Sequence, residues 1–146
     1  MEYIRRKGQN RSNAENVEKQ GKLYDYMCDI DDIKKGDKVA IIMYNCLEWL
    51  PIYFGILKTG AIAVPFNFRY DADEILYCAE LAEVDVIVFG PQFIGRIEVN
   101  ADRLSKGRLL IYLGDNCPNF ADSYHELVAD CSSKAPRIAI SDDDFG

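Results

Sequence analysis

What the chain lacks narrows it first. No run of about 18 apolar residues exists, so no membrane-spanning helix is expected. No apolar stretch follows the basic start, so neither is a secretory leader. Basic charge is scarce, with a net charge of −7; nucleic acid and anionic membrane surfaces need the opposite sign. The shortage is uneven, because Met1 to Lys22 hold six basic and three acidic residues. That arm (Arg5, Arg6, Lys7, Arg11) has the charge to touch phosphate, but a solvated, frayed terminus over residues 1–11 is the ordinary reading. The five cysteines, Cys28, Cys46, Cys78, Cys117 and Cys131, are odd in number and form no C-x-x-C pair or other short metal spacing. They read as reduced thiols packed as small hydrophobes, which places the protein in the cytoplasm. The nucleotide-binding patterns G-x-G-x-x-G and G-x-x-x-x-G-K-[ST] are both missing.

What is present is organised around Gly36 to Tyr70, the densest apolar stretch, which holds the single tryptophan, Trp49. Val39 to Met43 is a short, continuous apolar run, as in a strand buried on both faces. Asn45 and Glu48 have capping-box spacing before a helix around Trp49 to Leu57. That helix is apolar almost all round and reads as sandwiched. Pro51 predicts a kink or a late start, and Gly60 supplies the left-handed stop. Ala61 to Phe66 is a second strand, which Pro65 assigns to an edge or an exit. Asp71 and Glu74 form another capping box. A helix to about Glu83, a strand from Val84 to Phe89, a weaker helix over residues 92–104, a strand from Arg108 to Leu113 and a short helix capped by Ser123 complete the series. Upstream, Ser12 and Glu15 open a further helix; downstream, Ile138 to Ile140 suggest a last extended piece. Alternation of strands and helices over residues 12–146 means one α/β domain, a doubly wound parallel sheet with helices on both faces.

Candidate chemistry is sparse. His125, in a polar helix start, has no local nucleophile or orienting acid to complete a catalytic group. Asp31-Asp32 resembles the acidic pair of a phospho-receiver but precedes the first strand instead of following it. Asp142 to Asp144 are carboxylates able to meet a hard cation, although terminal acids are ordinarily solvated charge; no metal site is expected. Arg69 follows the exit of the second strand, at the carboxyl edge where parallel sheets bind ligands, and is able to fork onto a phosphate. The alternative is a surface pair with Asp71 or Asp73.

The ordered set G-D-K-V-A-I, N-x-x-E-W and Y-F-G-I-L-K-T-G-A-I-A-V-P-F-N-F-R, followed by Asp73-Glu74-Ile75 and Ser123-Tyr124-His125-Glu126-Leu127, resembles the N-terminal region of AMP-forming acyl-adenylating enzymes. These include the acyl-CoA synthetases. The similarity runs from about Ile33 to Gly146. It implies a parent reaction in which ATP and magnesium activate a carboxylate as an acyl-adenylate with release of pyrophosphate, after which the acyl group passes to the CoA thiol and AMP leaves. It also implies that Arg69, in Asn67-Phe68-Arg69, lies near the CoA phosphate. The family's Ser/Thr/Gly-rich phosphate loop and its catalytic lysine domain have no counterpart in these residues. The expectation is therefore a truncated subdomain that needs no cofactor of its own and is inert alone. Its partner would be the missing remainder of a ligase. The alternative is an interaction module that self-associates through open sheet edges.

Overall fold

The computed structural model describes residues 33–129 and Ser141. The basic arm, the helix opened by Ser12, Asp31-Asp32, the Ile138–Ile140 piece, Asp142–Asp144, Cys28 and Cys131 lie outside the described residues.

Among the described residues, five strands form one parallel sheet: β1 (Lys38–Ile42), β2 (Ile62–Pro65), β3 (Val86–Phe89), β4 (Leu109–Tyr112) and β5 (Asp122–Ser123), in the spatial order β2-β1-β3-β4-β5. The helices are α1 (Trp49–Lys58), α2 (Ala72–Ala82), α3 (Ile94–Glu98), α4 (Ala101–Leu104) and α5 (Tyr124–Ala129), with a 3-10 turn over Pro91–Phe93. The expected doubly wound sheet is thus present.

Crossover handedness explains the two faces. From β1 the chain steps outward to β2, then returns past β1 to β3 and continues to β4. Right-handed connections in opposite directions place their helices on opposite faces. Accordingly α1 packs through Ile52 and Ile56 on the face of Val39, Ile41, Met43, Val86, Val88 and Ile111. The other face, with Ala40, Ile42, Ile87, Phe89, Leu110 and Tyr112, is covered by Ile75 and Ala79 of α2, Ile97 of α3 and Leu104 of α4. Side chains alternate between faces while both faces are buried, so these strands read as continuous apolar runs. Each fully buried side chain of this size stabilises the fold by about 1.5–3 kcal/mol.

The Asp71 box forms as the sequence predicts. Asp71 Oδ1 accepts from the backbone N–H groups of Asp73 (3.0 Å) and Glu74 (2.9 Å), and Glu74 Oε2 accepts from Asp71 N–H at 2.9 Å. The expected box at Asn45 and Glu48 does not form. The helix starts late, at Trp49, with Glu48 as an N-cap that makes no side-chain cap bond. Pro51 gives the reason: with this start its missing N–H falls in the first turn, where no intrahelical acceptor exists. Nor is α1 sandwiched among the described residues, since Leu50 and Phe54 are exposed. Residues 92–104 form two helices instead of one, parted at Val99 and Asn100. Ser123 lies in β5, and its Oγ accepts from Glu126 N–H at a long 3.5 Å.

The open edges are modest. Pro65 removes a donor from β2, and β5 is two residues long; both features blunt strand addition.

Candidate functional site

In a doubly wound sheet, ligands bind beyond the carboxyl ends of the strands, where the chain reverses its direction of winding. Here that point lies between β1 and β3. A crevice of about 300 Å³ opens there. Its walls are the residues that follow each strand: Met43 to Cys46 and Glu48 after β1, Gly90 to Gln92 after β3, and Leu113 to Asp115 after β4, with His125 from α5. In the sequence His125 has no catalytic partner close to it in the chain. Parallel strands end on one side, so the three exits meet, and β5 with α5 carries His125 to them. The adjacency of these residues to strand ends was the signal available.

Electrostatics limits what this crevice does. Glu48 and Asp115 line it, and among the described residues no Lys or Arg does, so these walls repel phosphate. A Cys/His nucleophile is also disfavoured. Withdrawal of the Cys46 sulfur from water pushes its thiol above the usual range, and the Glu48 charge adds to this; the reactive form is the thiolate. Beneath the wall, Tyr124 is 2% exposed and its hydroxyl has no hydrogen-bond partner among the described residues. Burial foremost, then the charge of Glu48 and Cys46, raises its phenol far above the ordinary range. No group of three or more His, Cys, Asp or Glu among the described residues is placed to hold a metal ion. No helix among them is long and apolar enough to cross a membrane.

Arg69 lies outside this crevice, in the exposed loop that leaves β2. Its guanidinium sits 5.6 Å from the centre of the Phe68 ring, and among the described residues it forms no ion pair with Asp71 or Asp73. Asp71 is engaged in the helix cap instead. The loop is a compact turn. Asn67 Oδ1 accepts from Arg69 N–H (3.0 Å), and Asn67 O accepts from Tyr70 N–H (3.0 Å). Tyr44, which lines the crevice, joins the two regions through edge-on contacts with Phe68 (5.6 Å) and Phe93 (5.4 Å). The carboxyl edge therefore has two compartments, an acidic crevice and a cationic ledge, divided by Tyr44.

Residues 30–144 match the family described as AMP-binding enzyme. The long-chain-fatty-acid–CoA ligase FadD13 of Mycobacterium tuberculosis is 30% identical over 115 residues, which is 77% of this chain and 21% of that protein. The chain thus spans about a fifth of that relative's length. The N-terminal domain of FACL13 from Mycobacterium tuberculosis, solved with an inhibitor, superposes with a TM-score of 0.75 at 25% identity, over 90% of this chain and 31% of that one. The anthranilate CoA ligase AuaEII, solved with anthranoyl-AMP, gives 0.81 at 19% identity over 88% and 25%; at that identity the likeness shows the fold alone.

Proposed function

The chain belongs to the AMP-binding enzyme family, and on that premise we propose that it supplies the N-terminal α/β unit of an AMP-forming acid–thiol ligase. The parent reaction joins a carboxylate to AMP at the expense of ATP and then passes the acyl group to CoA. Within it, this unit has a binding role and no chemistry of its own. The observation that carries the reading is the division of the carboxyl edge. Transfer of a phosphoryl or adenylyl group needs donors and cations aimed at developing negative charge. Among the described residues this crevice at the winding reversal is lined by two carboxylates and no cation, which disfavours the phosphates of ATP there.

The ledge is different. An arginine guanidinium that is exposed, backed by an aromatic ring and unpaired with any carboxylate is suited to a phosphate. Among the described residues Arg69 meets that description, in keeping with a contact to the CoA phosphate. When bound, CoA would supply the thiol that accepts the acyl group; Arg69 would only hold and orient it. The free thiols of Cys46, Cys78 and Cys117 accord with a cytoplasmic setting.

The test is pyrophosphate release from the 146-residue chain supplied with ATP, magnesium and a panel of fatty and aromatic carboxylates. No release is expected; turnover by this chain alone overturns the reading. Titration with CoA examines the ledge, where Arg69→Ala should abolish binding that the unaltered chain shows.

A further inference from the structure

Two arginines approach the ledge, and the structure gives them different tasks. Arg69 leaves its guanidinium on the Phe68 ring. Arg96, on α3, is committed inward: its Nη1 donates to Phe68 O at 2.8 Å and to Tyr70 O at 2.9 Å. Its guanidinium also lies 5.2 Å from the centre of the Phe93 ring, which is fully buried and fixed in the core beneath α3. The two carbonyls flank Arg69 in sequence. A planar guanidinium held on a buried ring, with one terminal nitrogen donating to the carbonyls on either side of a residue, fixes that residue's backbone. A second tie lies just beyond, where Asn100 Nδ2 donates to Ala72 O at 3.0 Å.

We propose that Arg96 is the positioning residue that holds the Asn67–Tyr70 turn in the conformation that presents Arg69. The role rests on the reading of Arg69 as the phosphate-binding group, but the clamp itself is a property of the turn. Exposed turns open at little cost, and the turn's own bonds are two, from Asn67 to Arg69 N–H and to Tyr70 N–H. The Arg96 guanidinium closes the turn from the core side. Lysine keeps the charge and has N–H donors for both carbonyls, but lacks the planar group that lies on the Phe93 ring and fixes the donor in place.

The experiment measures amide hydrogen exchange by NMR on the whole chain, for the unaltered protein, Arg96→Ala, Arg96→Lys and Arg69→Ala, alongside titration with CoA. In Arg96→Ala, exchange at the Arg69 and Tyr70 amides should rise by at least about tenfold, the scale of one lost hydrogen bond to a charged group, with β1 and β3 amides unchanged. Arg96→Lys should lie between this variant and the unaltered chain. Arg69→Ala should leave both amides as they are while removing CoA binding, which Arg96→Ala should weaken several-fold. The clamp is overturned if Arg96→Ala leaves the two amides unaltered, or if protection falls equally in β1. Should Arg96→Ala fail to fold, Arg96→Lys decides on the same amides. An unaltered chain that does not bind CoA sinks the ledge reading alone, because the exchange pattern still decides the clamp.

Discussion

Replacing Tyr124 with phenylalanine should stabilise this protein, against the usual direction of core substitutions. The side chain is 2% exposed and packs with Met43, Ile52 and Leu113 on the α1 face of the sheet. Its ring contributes as any buried aromatic does, but its hydroxyl has no partner among the described residues. A buried donor without an acceptor costs about 1–3 kcal/mol. Tyr124→Phe keeps the ring and removes that group, so a gain of about 1 kcal/mol is expected, a rise in Tm of about 3 °C at this size. Urea denaturation followed by circular dichroism gives the free-energy difference, with m unchanged if only the native state is affected. Alkaline pH adds a second reading. The folded phenol titrates above its ordinary value of 10.0. Below that value both folded and unfolded chains keep the proton, and stability is independent of this group. Above it the unfolded chain ionises first, and stability falls by up to about 1.4 kcal/mol per pH unit. Tyr124→Phe should remove that slope, so its advantage should widen above pH 10. A variant less stable than the unaltered chain at neutral pH refutes the reasoning, since it means that the hydroxyl is satisfied.

Other perturbations have the opposite sign. Asp71→Ala removes both cap bonds at the start of α2 and should cost about 1 kcal/mol, whereas Asp71→Asn should keep most of the stability; thermal melts compare them. Thr59→Val deletes a fully buried hydroxyl that donates to Ile56 O (2.6 Å) and accepts from Ala61 N–H (3.1 Å). Stranding that N–H should cost about 1–3 kcal/mol in denaturant titration. Gly114→Ala would set a methyl 2.6 Å from the Tyr112 hydroxyl and 2.9 Å from Pro91 Cγ. Overpacking of about 1–3 kcal/mol is expected, with altered shifts in crevice residues by NMR.

Much of the fold is legible in the residues because its signals are local. Val39 to Met43 announces a buried parallel strand by being continuously apolar, Val84 to Phe89 does so with only Asp85 interrupting it, and Asp71 and Glu74 announce a helix start by spacing alone. The failures involve competition between local signals. Asn45 and Glu48 carry a capping pattern as good as that of Asp71, but Pro51 moves the helix start beyond it. The two-residue β5 is too short for any periodicity and exists because β4 offers it an open edge.

The sequence by itself determined the family, the parallel architecture and the place of Arg69 after a strand exit, since each depends on residues close together in the chain. Only the tertiary structure decided what lies beside what. It brought Glu48, Gln92, Asp115 and His125 to one crevice, set Arg96 against carbonyls 26 and 28 residues away in the chain, and left the Tyr124 hydroxyl without a partner among the described residues. The reason is the crossover geometry: parallel strands gather their exits at one edge, so the residues that follow them meet there however far apart they stand in the chain.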